Sequence, residues 1–76
     1  RDAIKIDQAT NIRIDNVNVQ ASTGNGIHIH IATGTQIERF DIKNVGAAGI
    51  RVHDSDLVAI REGIAHECAG WGIELV

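Results

Sequence analysis

The chain has 76 residues, a formal net charge of −3 and only 3% aromatic residues. Positive and negative residues are interspersed, so no basic stripe is available for nucleic acid, and Phe40 and Trp71 are the only side chains that could stack on bases. There is no apolar run long enough for a membrane helix and no signal-peptide pattern. We therefore expect a soluble segment without a nucleic-acid or membrane partner.

A Gly-Ile pair returns every 23 residues, at 26–27, 49–50 and 72–73, and Ala3-Ile4 holds the same place one interval earlier. A repeat of this length is typical of a solenoid. Other apolar columns keep the spacing without a gap: Ile6/Ile29/Val52/Leu75, Ile14/Ile37/Ile60 and Val19/Ile42/Ala65. We therefore expect about three equal coils with these columns stacked inside. The Gly column is expected at a corner whose backbone conformation is costly for other residues, while Ala3 in the first coil indicates that this corner is permissive and not strictly left-handed.

Within each coil the finer period is two, which indicates β-strands rather than helices. The predicted strands, in which apolar and polar residues alternate, are 3–7, 11–15, 17–19, 26–31 and 49–53. Only the stretch 57–68 also fits the spacing of a helix. We predict strand there too, because the aligned residues of the earlier coils alternate and a helix would break the ladder between coils.

Coils of 23 residues with three short β runs, separated by Gly, Asn, Ser and Thr turns, resemble the right-handed parallel β-helix. This is the coil of pectate lyases, polygalacturonases, alginate epimerases and phage tailspikes. The resemblance covers essentially the whole chain and implies an all-β, single-stranded solenoid. The fold also hosts adhesins and inert spacers, so it does not fix an activity. Without proline the chain lacks the Asp-Pro-His signature of the epimerases, and it has no Gly-His-Gly motif of the polygalacturonases.

The repeat runs from one end of the chain to the other, without the polar caps that close many solenoids. We therefore expect residues 1–76 to form a single β-helix segment that is an excerpt of a longer coil, or whose ends are covered by another copy. Exposed parallel edges favour strand addition, so self-association or a homo-oligomer is expected.

Two polar columns stand side by side on the outward face of the first strand of each coil. They are Lys5/His28/Arg51/Glu74 and Asp7/His30/His53/Val76. Alternate residues of a strand share a face, so the seven polar side chains are predicted to form one solvent-facing patch. The alternative is an ordinary solvated sheet face with no ligand.

In the polysaccharide-active relatives the substrate groove runs along an outer face of this kind, and the resemblance therefore implies a site here. His28, His30 and His53 are the candidate catalytic residues, since a neutral imidazole can abstract a proton next to a sugar carboxylate. Lys5 and Arg51 could neutralise that carboxylate.

Asp7, Glu74 and Trp71 are further candidate substrate contacts. Trp71 stands between two glycines, where it either offers a flat face to a sugar ring or covers the end of the coil.

A metal ion is a further hypothesis, although the sequence does not identify one. Three histidines, His28, His30 and His53, are close enough in the predicted stack of coils to share a metal. Asp54 and Asp56, in the turn after the third of these, could contribute oxygens to a Ca²⁺ site, or serve the hydrogen bonding of the turn.

Asp15 and Glu38 stack one coil apart, a separation that a pair of glycosidase carboxylates allows. Their column continues to Arg61, and the next column holds Asn16/Arg39/Glu62. This order of charges predicts ion pairs between coils rather than catalysis.

The sequence thus predicts a carbohydrate-active β-helix segment of extracellular or virion-surface origin. It would bind an extracellular, acidic polysaccharide, which the full-length parent would cleave or modify as a lyase, hydrolase or epimerase. Whether the parent is an enzyme stays open, and the 76-residue piece alone is not expected to be active. The alternative is a purely structural module, either a spacer in a fibre or tailspike or an engineered minimal solenoid.

Overall fold

The computed structural model describes all 76 residues and consists of β-strands and turns without a helix. No helix is therefore available that could cross a membrane. The strands are β1 (Ile4–Thr10), β2 (Arg13–Val19), β3 (Ile27–Val45), β4 (Ile50–His53), β5 (Asp56–Arg61), β6 (Ile64–Cys68) and β7 (Ile73–Leu75). The predicted first strands are confirmed, but β1 and β3 run further than the alternation indicated. The stretch 57–68 is strand, as predicted.

All strand pairs are parallel, and paired residues lie 23 positions apart. β3 pairs with β1 and β2 of the first coil on one side, and with β4, β5 and β6 of the last coil on the other. β4 pairs in turn with β7. The predicted all-β solenoid of about three coils is confirmed.

The core is a set of aliphatic stacks inside the coil. Ile27 lies between Ile4 and Ile50 in the ladder, as predicted, and is fully buried. Ile29 and Ile37 are fully buried as well. Each such side chain contributes about 1.5–3 kcal/mol through removal of apolar surface from water. The ladder therefore places its largest hydrophobic contribution in the middle coil.

The chain turns at single residues in the left-handed conformation, and these residues repeat with the coil. With φ between 51° and 74°, they form the columns Gln8/Ile31/Asp54, Asn11/Gly34/Leu57, Asn16/Arg39/Glu62 and Asn44/Glu67. Glycine and asparagine adopt this conformation readily, whereas it is strained for a β-branched residue such as Ile31. The geometry of the coil therefore determines where the corners lie, and the residue at each corner adopts the left-handed conformation whatever its type.

The Gly column is not left-handed, as Ala3 indicated, and glycine stands there for a reason other than a costly backbone conformation. Gly26 and Gly49 do not have a positive φ. A Cβ on Gly26 would instead lie 2.6 Å from the carbonyl oxygen of Gly49 and 2.6 Å from Cγ2 of Ile42. Glycine is therefore required here by the close approach of the next coil, not by the conformation of a corner.

We expect Ile29→Asp to abolish folding, because the carboxylate would enter an apolar core without a partner. The matched control is Ile31→Asp, two positions along β3. Ile29 is 0% exposed, whereas Ile31 is 44% exposed and has a φ of 55° that aspartate tolerates better. Circular dichroism and thermal melting should therefore show an unfolded Ile29→Asp and an Ile31→Asp at least as stable as the wild type. Folding of Ile29→Asp would disprove the inward assignment.

Candidate functional site

The two predicted polar columns lie side by side on the outside of the wall formed by β1, β3, β4 and β7. The ladder pairs Lys5 with His28, His28 with Arg51 and Arg51 with Glu74, and in the neighbouring column it pairs Asp7 with His30 and His30 with His53. All seven side chains are exposed or half-buried. We call these seven residues the polar face.

Two histidines of the polar face are each held by an aspartate of the first coil. Asp2 Oδ2 lies 3.2 Å from Nδ1 of His28, and Asp7 Oδ1 lies 3.1 Å from Nδ1 of His30. A carboxylate at Nδ1 fixes the orientation of the imidazole and leaves Nε2 to act. Asp2 was missed by the sequence reasoning because it precedes the alternating segment, in the column of Asn25.

Asp2 also links the first coil to the second. Its Oδ1 accepts a hydrogen bond of 2.8 Å from the Asn25 N–H, and Asn25 Oδ1 in turn accepts one of 3.0 Å from the Ala48 N–H. Partial burial alone would raise the pKa of Asp2, but the Asn25 hydrogen bond and the neighbouring His28 outweigh it and hold that pKa below its usual value. Asp2 is therefore ionised near neutral pH, where it orients the ring of His28.

His30 and His53 lie in adjacent coils, and their rings stack on each other. Their ring centroids are 4.9 Å apart and their planes differ by 11°. Asp54 Oδ2 lies 3.7 Å from Nε2 of His53, and one ligand atom each of His30, His53 and Asp54 lie within 4.8 Å of one another. The ring of His28 is 6.3 Å from that of His30 and stands outside this group. The structure thus gathers Asp54, rather than His28, with the other two histidines.

A serine makes the side-chain hydrogen bonds of the turn after β4. Ser55 Oγ accepts a bond of 3.0 Å from the Ala32 N–H and donates one of 3.0 Å to the carbonyl of His53. The carboxylates of Asp54 and Asp56, for which the sequence offered a turn role or a Ca²⁺ role, are exposed, and Asp56 does not join the group around His53.

The cations of the polar face differ in their environment. Arg51 Nε lies 3.7 Å from Glu74 Oε1, whereas Lys5 has no ion pair. Arg51 Nε and His28 Nε2 are buried atoms without a hydrogen-bond partner, and their residues are direct neighbours in the ladder. Trp71, which the sequence predicts as a further substrate contact, is 70% exposed in the last coil.

Residues 2–76 match the family model described as the right handed beta helix region. The chain belongs to the right-handed β-helix family. Among curated proteins and among solved structures, no match to the chain was found. The family thus establishes the coil, while the polar face of this β-helix has to be interpreted from its own residues.

A second outer wall of the β-helix carries the predicted ion pairs between coils. Glu38 lies 3.3 Å from Nε of Arg61 and 3.5 Å from Arg13. Asp15 accepts a hydrogen bond from Arg39, which holds the pKa of that carboxyl below its usual range. Both carboxylates are engaged by arginines, so they stabilise the stack.

The lowered pKa of Asp15 predicts an acid-dependent loss of stability. A carboxyl with a lowered folded pKa contributes its stability fully above its unfolded pKa of about 3.9, and loses it as the pH falls further. We expect the urea midpoint of Asp15→Asn to lie below that of the wild type at neutral pH, and the gap to narrow below about pH 4. The control is Asp56→Asn, which removes an exposed carboxylate without an ion pair. An unchanged gap for Asp15→Asn, or an equal effect of Asp56→Asn, would contradict the assignment.

Proposed function

We propose that this β-helix binds an extended polysaccharide across the polar face. The main support for the proposal is a pair of buried nitrogens on neighbouring residues of the ladder: His28 Nε2 has no hydrogen-bond partner, and Arg51 Nε has only Glu74, at an ion-pair distance of 3.7 Å. Buried polar atoms in proteins almost always have a partner. With the proton of His28 on Nδ1 beside Asp2, one nitrogen accepts and the other donates. A sugar hydroxyl both donates and accepts, so hydroxyl groups match the chemistry of these two atoms.

The repetition of the wall suits a polymer. Coils follow one another at about 4.8 Å, so each coil presents its own polar side chains to a chain lying along the stack. Asp2 also lines an open groove of about 520 Å³ together with Ser22, Thr23 and Asn44, beside the first coil. Hydroxyl and amide groups of this kind extend the hydrogen-bonding surface beyond the polar face.

The charges favour a glycan with widely spaced carboxylates over a polyuronate. Lys5 is the cation free to meet a sugar carboxylate, since Arg51 is shared with Glu74. Asp2 and Asp7 stand on the same wall and would repel a densely acidic chain. In this proposal Lys5 meets an isolated carboxylate, and Trp71 stacks on a sugar ring at the last coil.

The catalytic role of the histidines stays a prediction. His28 and His30 have the carboxylate-oriented imidazole that a general base requires, whereas His53 has a more distant carboxylate in Asp54. A β-helix that acts on such a glycan belongs outside the cell or on a virion surface, and we propose that location.

The test is affinity electrophoresis in gels containing a neutral glucan, a sparsely carboxylated glycan or a polyuronate. We expect retardation of the wild type to be strongest with the sparsely carboxylated glycan. Arg51→Lys keeps the charge but removes the Nε donor and should weaken binding about 10-fold, the usual effect of one lost hydrogen bond to a charged group. The matched control, Arg61→Lys, lies on the second wall and should bind normally. Absence of binding, or equal effects of the two variants, would refute the proposal.

A structural module is the second candidate, and the last coil supplies the observation that favours it. Most of the exposed large hydrophobic side chains lie in this coil or in the segment of β7 that stacks on it, and they are Leu57, Ile64, Trp71, Ile73, Leu75 and Val76. A second copy would present Ile4 and Ile6 in the same columns as Ile73 and Leu75. We propose that the 76-residue chain associates with itself through these columns, as a fibre spacer would.

Sedimentation velocity over a range of concentrations tests this association. Leu75 is 73% exposed, and Leu75→Lys should shift the chain towards monomer. Thr33→Lys, an exposed position of the middle coil, should not. A wild type that stays monomeric at every concentration would contradict the second candidate.

A further inference from the structure

We propose that His30, His53 and Asp54 form a binding site for a divalent transition metal ion, with Zn²⁺ as the best fit. One ligand atom of each residue already lies within 4.8 Å of the other two. The site uses a different column from the nitrogens of His28 and Arg51, so this inference does not depend on polysaccharide binding.

The ladder and one corner residue assemble the three side chains. β3 and β4 pair His30 directly with His53, and the rings stack at 4.9 Å with their planes 11° apart. In a regular strand Asp54 would point to the opposite side from His53. Its left-handed φ of 51° ends the alternation, and its carboxylate lies 3.7 Å from Nε2 of His53.

Asp7 supplies an independent indication of a metal site. Its carboxylate lies 3.1 Å from Nδ1 of His30, which leaves Nε2 of that ring for a metal. Histidines that bind metals almost always give their other ring nitrogen to such a partner, which fixes the tautomer and raises the basicity of the ligating nitrogen. Asp7 therefore acts as a positioning residue for His30.

The donor set selects the metal. Two imidazoles and one carboxylate suit Zn²⁺ and its neighbours, whereas Ca²⁺ prefers oxygens alone. Ligand atoms around a tetrahedral zinc lie about 3.4 Å apart, given bonds of about 2.0–2.2 Å. The stacked rings must lean together to reach this spacing, and they have room because both side chains are only half-buried. The fourth position of the metal would then face solvent.

The charge of the site also favours a cation. Asp7 and Asp54 together offset the two positive charges of the ion, and Arg51, two residues before His53 on β4, is shared with Glu74. Lys5 lies in the first coil, next to Asp7 on β1 rather than beside Asp54.

The experiment is isothermal titration of the tag-free chain with zinc chloride and, separately, with calcium chloride. We expect one zinc ion per chain and no calcium binding. His53→Ala should abolish or weaken zinc binding by at least about 10-fold, and Asp7→Asn should weaken it about 10-fold to 100-fold without abolishing it. Circular dichroism of each variant verifies that the coil is retained, and Co²⁺ absorption spectra report the change in ligands directly.

The matched control is His66→Ala. His66 lies near two carboxylates, 3.3 Å from Asp41 and 3.9 Å from Glu67, but has no second histidine beside it. It should leave zinc binding unchanged. A wild type that does not bind zinc, equal binding by His53→Ala, or loss of binding in His66→Ala would each overturn the proposal. Because no glycan is present, failure here is distinct from failure of the polysaccharide proposal.

Discussion

The register of the parallel ladder is the constraint on which the rest of this structure depends. β3 pairs with five other strands, and each pair joins residues 23 positions apart. Such pairing stacks like on like, so that Ile27 meets Ile4 on one side and Ile50 on the other. A slip by one residue would turn the isoleucines outward and bring the polar columns into the core. Hydrophobic burial thereby selects one register among those that the backbone hydrogen bonds alone would allow.

The same register assembles the polar face. Residues outside the coil are stacked by the pairing that stacks the core, so side chains far apart in sequence become neighbours without any dedicated loop. His30 meets His53 in this way, and His28 meets Arg51. The two columns have different chemistry. The column of His28 and Arg51 has buried nitrogens without hydrogen-bond partners and suits a hydroxyl-rich polymer. The column of His30 and His53, together with Asp54, supplies the donor atoms that a transition metal prefers. A single strand pair thus supports two separate proposals.

Much of this could be predicted from the sequence, because a repeat of fixed length converts sequence spacing into contacts. The strands, the buried columns, the ion pairs between coils and the make-up of the polar face all follow from it. The corners could not be predicted, since the left-handed columns hold Ile31 and Leu57 where preference would call for glycine or asparagine. The contact of Asp2 with His28 was not predicted because Asp2 lies before the alternating segment. The contact of Asp54 with His53 depends on a left-handed corner that the spacing of the sequence does not reveal.

Disulfide trapping between coils, in a Cys68→Ala background, tests the register of the ladder most directly. Thr10 pairs with Thr33, and Thr33 with Asp56, so cysteines at either pair lie about 4.8 Å apart, within the range that a disulfide bridges. Cysteines at 10 and 56 are two coils apart, about 9.6 Å, and beyond that range. Under mild oxidation, monitored by mass spectrometry at low protein concentration, we expect rapid intramolecular disulfides for the 10/33 and 33/56 pairs and none for 10/56. Equal trapping of 10/56, or failure of 10/33, would contradict the register.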